Sequence, residues 1–194
     1  MEVSTAQTPP RTGDPEETWK TLRELGRKES FDELNALFRK GSPPRDLDGP
    51  TEGMLVVPSM GAIRTPFVKT VSSVWMPWLG KRFFAAEHRG DNRFRQSVRL
   101  PAKLLWPSYS TRPNGQERTA FDFETRIEAG GHDPDTQVLV IDYAPIETNP
   151  DRLIRRIRDE IVEVAPGVYL GKILYREDDG EYSSLGFFAL RRPS

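Results

Sequence analysis

Cysteine is absent from this chain, which removes disulfides, thiolate nucleophiles, zinc ribbons and iron–sulfur clusters together and makes a cytoplasmic location the default expectation. Histidine is nearly absent: His88 and His132 are the only two. Each sits in its own polar stretch, beside Arg89 and Asp133, where a solvated loop histidine competes with a metal ligand. No metal site is assigned. Long apolar runs are missing as well, since none approaches the roughly 20 residues of a membrane-spanning helix. The polar segment Met1–Gly13, with Pro9-Pro10, lacks the basic and apolar regions of a signal peptide and reads as a disordered tail. Charge of one sign is missing too. Lys+Arg 28 against Asp+Glu 29 leaves a net charge of -1, so no global basic field points to nucleic acid. The glycine-rich phosphate loop, the G-x-S-x-G elbow and the H-E-x-x-H pair are also absent, and no cofactor is implied.

What is present is a chain of 194 residues, 36 % hydrophobic and 29 % charged, long enough to bury a core without staples. Asp14-Pro15-Glu16-Glu17 predicts a helix start, with Asp14 as N-cap and Glu17 closing a capping box. Trp19, Leu22 and Leu25 follow at helical spacing. Ser30 and Glu33 predict a second helix carrying Phe31, Leu34, Leu37 and Phe38, stopped by Gly41 and Pro43-Pro44. The expected organisation is a tail over 1–13, a helical appendage over 14–44 and a β-barrel domain over 45–194.

Gly53–Val57 reads as a strand. Thr65-Pro66 opens a helix with Phe67, Val71, Val74, Trp75 and Trp78 on one face. Lys81–Ala86 and Phe94–Leu100 read as strands around a polar turn, Arg89-Gly90-Asp91-Asn92. Ala102–Thr111 and Glu117–Glu128 form a hairpin across Asn114-Gly115. In its second arm Phe121, Phe123, Thr125 and Ile127 alternate with Asp122, Glu124, Arg126 and Glu128. Gln137–Tyr143 is a further strand. Asn149-Pro150 predicts a helix with Leu153, Ile154, Ile157 and Ile161, and the strands Val168–Arg176 and Ser183–Arg191 close the chain across Asp178-Asp179-Gly180. The fold class is therefore α+β, mainly β: an antiparallel, lipocalin-like barrel of about 7–8 strands, with N-terminal helices and helices after the first strand and before the last hairpin.

Candidate site residues follow from chemistry. About eight strands leave an interior that either fills with side chains or holds one small ligand. The aromatics concentrated here point to a cavity lined by Trp75, Trp78, Phe83, Trp106, Phe121, Phe123, Tyr143 and Tyr175. Asp142 follows the apolar run Val138–Ile141, so it is either held by a backbone amide or an arginine, or acts with Tyr143, Glu124 or Arg126 as an acid–base group. Asp122, Glu124 and Glu128 share a strand face, outer surface or polar lumen. Arg152, Arg155, Arg156 and Arg158 are balanced by Asp151, Asp159 and Glu160, as on a solvated helix face.

Gly53-Met54-Leu55-Val56, an amphipathic helix, and Trp78-Leu79-Gly80-Lys81-Arg82-Phe83 together resemble the GXWXG-type domain of bacterial and fungal proteins. Ile141-Asp142-Tyr143-Ala144-Pro145-Ile146, Leu170-Gly171-Lys172 and Gly186-Phe187-Phe188-Ala189-Leu190 are similar to the uncharacterised companion domain of that family. The series covers about residues 48–191. Met54 or Leu55 stands where the signature tryptophan belongs, and Ile141 stands at the family's tyrosine. The resemblance implies a calycin-type barrel for a hydrophobic small molecule. In it Lys81 meets a carboxylate or phosphate head beside Trp75 and Phe83, or else complements a helix C-terminus. Three functions remain open on sequence grounds. The first is a monomeric or weakly dimeric barrel binding an apolar or amphipathic molecule, fatty-acyl or terpenoid-like, with no nucleic-acid or integral membrane partner. The second is a cofactor-independent isomerase, cyclase or lyase in the same cavity. The third is an interaction module docking through Trp19 and Phe31.

Overall fold

A computed structural model of the chain describes residues 13–58, 77–150 and 153–193. Asp14 accepts a hydrogen bond from the backbone N–H of Glu16 and starts helix α1, Pro15–Arg27, with Pro15 in its first turn. Helix α2 runs from Phe31 to Lys40. Ser30 precedes it without a side-chain capping bond, so the expected Ser30–Glu33 box does not form there.

The strands are β1 (Gly49–Pro50), β2 (Glu52–Pro58), β3 (Trp78–Phe84), β4 (Arg89–Arg95), β5 (Arg112–Asn114), β6 (Glu117–Ala129), β7 (Gln137–Asp142), β8 (Ile157–Ala165), β9 (Val168–Arg176) and β10 (Tyr182–Arg191). Antiparallel pairing runs β1-β3-β4-β6-β7-β8-β9-β10-β2, with β5 attached to β6 alone. Only Thr51 separates β1 from β2, and its N–H donates to the carbonyl of Lys81 at 2.8 Å. The segment 49–58 thus pairs with β3 at its start and with β10 over the rest. That single bent strand nearly closes the sheet into a barrel, which leaves little exposed strand edge.

Alternation sends neighbouring side chains to opposite faces, and on β7–β10 both faces are covered. Ile141, Ile157, Ile161, Tyr169, Ile173, Phe188 and Leu190 point into the barrel with Phe83, Phe94, Phe121, Phe123 and Tyr143. Val138, Val140, Val162, Leu170, Phe187 and Ala189 point outward and are buried with Trp19, Leu22, Leu34 and Phe38 of α1 and α2. On this outer layer Lys172 is paired with Asp133 and lies over the Phe38 ring, 4.6 Å from its centroid.

Four expectations need correction. Trp78 opens β3 rather than ending a helix; the rest of the expected helix 65–77, apart from Pro77, lies outside the described residues. The turn between β3 and β4 is Ala85–His88, so Arg89-Gly90-Asp91-Asn92 is strand, and Gln96–Leu105 is helical. Gly90 signals close approach instead of a turn, since a Cβ there would meet the Arg82 carbonyl oxygen at 2.3 Å and the Phe123 ring at 2.4 Å. Residues 102–111 are not a strand: helix α3, Arg99–Leu105, is followed by an irregular stretch, and only β5 forms the hairpin with β6 across Asn114-Gly115. Finally, the helix expected before the last hairpin is a single 3-10 turn, Ile154–Arg156, leading into β8. Ile154, Ile157 and Ile161 have helical spacing, yet the turn and the strand aim them at the same interior.

Candidate functional site

Position 81 faces the barrel axis on β3, and it carries a lysine with no exposed surface. Gly80 before it has φ +139, and a Cβ there would meet the Thr51 carbonyl oxygen at 2.2 Å. The glycine therefore lets the bent first strand cross tightly over β3, where Thr51 also donates its hydroxyl to the Lys81 carbonyl at 2.9 Å. On the adjacent β4, Asn92 points inward. Across the barrel, Asp159 points inward from β8, and Tyr143 does so just beyond the end of β7.

These four side chains form one hydrogen-bonded cluster. The Lys81 ammonium donates to Asp159 Oδ2 at 2.8 Å, Tyr143 Oη at 2.5 Å and Asn92 Oδ1 at 3.0 Å. Three protons meet three acceptors. Tyr143 donates in turn to Asp159 Oδ2 at 2.9 Å, and Asn92 Nδ2 donates to Tyr143 Oη at 3.1 Å and to the Phe121 carbonyl at 3.0 Å. Trp78 Nε1 donates to Asn92 Oδ1 at 3.2 Å. The Phe121 carbonyl is free for Asn92 because β6 is irregular there: the register with β4 shifts between Gly90 and Asn92, and Phe121 sits at φ 53, as at a β-bulge.

One acceptor oxygen is left over. Asp159 Oδ1 is buried and has no hydrogen-bond donor. Around the cluster, the rings of Trp78, Phe123, Tyr143 and Phe188 lie with centroids 5.2–5.8 Å from Lys81 Nζ, within cation–π range. Burial pushes the Lys81 pKa down from 10.5 against the opposing pull of Asp159. Burial and the Asp159 charge hold the Tyr143 hydroxyl well above 10.0. A void of about 10 Å³ adjoins the cluster, lined by Trp78, Asn92, Phe94, Phe121, Tyr143, Ile154 and Ile157. That is room for one water-sized group.

The structure therefore brings together Trp78, Lys81, Phe121, Phe123 and Tyr143 from the sequence candidates. Phe83 forms the next layer, 5.5 Å from Phe123 between ring centroids, and Trp106 packs on the far side of Phe121 at 5.3 Å. Tyr175 stands apart, bonded to Arg156 at 3.1 Å. Trp75 lies outside the described residues. Lys81 is on a strand, so it does not complement a helix terminus.

Of the acid–base candidates, only Tyr143 is inside. Asp142 faces outward, held by Arg126 at 2.7 Å and by the Ala144 N–H at 2.9 Å, while Glu124 pairs with Arg89 at 3.1 Å. Asn92 and Asp159 are the members that sequence reasoning missed. Among the described residues no group of three His, Asp or Glu side chains is placed to hold a metal ion, and no helix is long and apolar enough to cross a membrane. No protein-family model, curated protein or solved structure matches the chain.

Proposed function

We propose that the barrel is a receptor for a small amphipathic molecule whose polar head binds at the Lys81–Asp159–Tyr143–Asn92 cluster. The observation that carries this reading is a fully buried ion pair in an aromatic interior with one carboxylate oxygen still lacking a donor. Burying such a pair brings little net stability, and apolar side chains of similar volume often serve a fold as well or better. A hydroxyl or amine on the ligand suits Asp159 Oδ1, whereas a second carboxylate would be repelled by it. The head occupies the space beside Tyr143 and Asn92. The apolar body packs on Trp78, Phe94 and Phe121 once Ile154, on a lone 3-10 turn outside the sheet ladder, gives way. A hydroxylated terpenoid-like compound has this chemistry. The resemblance of residues 48–191 to a GXWXG-type domain followed by its uncharacterised companion domain, as a series of short segments, is in keeping with such a barrel.

The contacts of Lys81 and Asp159 with Tyr143 also favour a second reading, proton transfer by Tyr143 in an isomerase or lyase. Turnover lost in Tyr143→Phe with ligand binding intact would identify it. The docking reading loses ground, because Trp19 is buried against the barrel and Phe31 packs on Phe187 at 6.4 Å.

The test is native mass spectrometry of freshly purified protein, followed by denaturation and extraction. The expected result is a small-molecule adduct on the wild type whose occupancy falls at least tenfold in Asp159→Asn. A wild type without any adduct, or an adduct indifferent to that substitution, would overturn the reading.

A further inference from the structure

The barrel end farthest from α3 is built by the β3–β4 turn, the loop before β1 and the middle of β6. It holds a depression of about 590 Å³, a size typical of small-molecule pockets. We propose that this open end is a second binding site, taking an organic monoanion with an apolar body, such as a medium-chain carboxylate.

Its floor is apolar. Leu47 and Phe83 are buried there, Leu139 is half-buried, and Ile127 is 53 % exposed. An isoleucine so exposed on an inward strand position has apolar surface available to a ligand. The rim carries three guanidinium groups, Arg45, Arg89 and Arg126, and the His88 imidazole, against the single carboxylate of Glu124. Glu124 is engaged by Arg89, and Arg126 bridges Asp142 and Glu128. Arg45 has no ion-pair or hydrogen-bond partner for its side chain among the described residues, and neither has His88. The turn Ala85–Glu87 ends on His88 in a left-handed conformation, φ 52, which carries the ring to the rim.

An unengaged guanidinium beside an apolar floor is complementary to a carboxylate with a hydrocarbon tail, since charge-assisted pairing fixes the head and area burial holds the tail. This site is distinct from the buried cluster, because Phe83 and Phe123 pack face to edge between them. It also differs in chemistry, asking for an anion where the cluster asks for a hydrogen-bond donor.

The experiment is isothermal titration of the full chain with octanoate and with 1-octanol, on the wild type, Arg45→Glu and Ile127→Asp. Both positions are exposed, so circular dichroism melts should match the wild type. If Ile127→Asp melts early, Ile127→Ser replaces it. Octanoate is expected to bind at least tenfold more tightly than octanol, with an affinity that falls as salt rises. Each variant should weaken octanoate at least fivefold. Absence of octanoate binding, equal affinity for octanol, or affinities within twofold of wild type in both variants would overturn the proposal. The last result would place octanoate elsewhere, without touching the reading of the interior cluster.

Discussion

Lys81 and Asp159 are 1 % and 0 % exposed at their side chains and 2.8 Å apart, so removing one should cost far more than removing both charges. Lys81→Met keeps a flexible apolar chain among the four surrounding rings, where sulfur packs well against aromatics, but it strands a buried carboxylate. The expected loss is about 3–5 kcal/mol. For a domain of this size each kcal/mol lowers Tm by roughly 2–4 °C, so the melt should fall by about 6–20 °C. Asp159→Asn leaves the ammonium with neutral acceptors only and should lie at the lower end of that range. In Lys81→Met/Asp159→Asn no buried charge remains, and the asparagine still accepts from Tyr143. The double variant should recover to within about 2 kcal/mol of wild type, giving a coupling energy of at least about 4 kcal/mol, since the single losses sum to about 6 kcal/mol or more. Urea denaturation of the four proteins, with a common m-value, measures the cycle. Single losses below about 1 kcal/mol, or strict additivity, would mean that the pair is neither dry nor ionised and would refute the argument for a functional cluster.

Tyr143 holds its proton above the 10.0 at which the unfolded chain releases it. Its contribution is thus complete below that pH and lost as pH rises past it, by up to about 1.4 kcal/mol per pH unit. Lys81, lowered from 10.5, acts in the opposite sense, with stability rising until 10.5 is passed. Urea midpoints of wild type and Tyr143→Phe should therefore converge above pH 10.0, and parallel curves would count against the raised value. Deleting residues 1–44 uncovers Val138, Val140, Val162, Leu170 and Phe187, so the remaining barrel should aggregate on gel filtration; a monomer with an unchanged melt would show α1 and α2 to be dispensable. Gly171→Ala places a Cβ 2.2 Å from the Phe188 ring and should cost about 1–3 kcal/mol through overpacking, a loss readable in a thermal melt.

The fold was legible where one face of a strand meets water. On β6 the alternation around Phe121 and Phe123 and the Asn114-Gly115 turn were visible, and the last two strands lie within one residue of expectation. It was illegible where both faces are buried. β8 has the burial of a core strand on inner and outer sides alike, so its apolar residues do not alternate with polar ones, and Ile154, Ile157 and Ile161 mimic a helical stripe. Periodicity alone does not separate these two cases. The polar run Arg89–Asn92 failed for the complementary reason. A barrel interior that admits an asparagine places turn-like residues on a strand.

The cluster escaped for a physical reason as well. Its contacts to Lys81 come from 11, 62 and 78 residues away, so no local spacing announces them, and lysine is among the residues least expected in a core. Lys81 and Tyr143 were found through their aromatic company. Asp159 was hidden in a run of alternating charges that reads as a solvated helix face. Yet Asp159 decides the chemistry of the site. Without it Lys81 would be an unpaired buried cation, and Tyr143 would lose the acceptor that orients its hydroxyl. Phe121, Phe123 and Phe188 belong to an otherwise apolar inner cluster, and apolar side chains of similar volume often serve a fold as well as a buried ion pair. A buried ion pair with one oxygen still lacking a donor is therefore the feature on which the proposed ligand reading stands, and the double-variant cycle is what tests it.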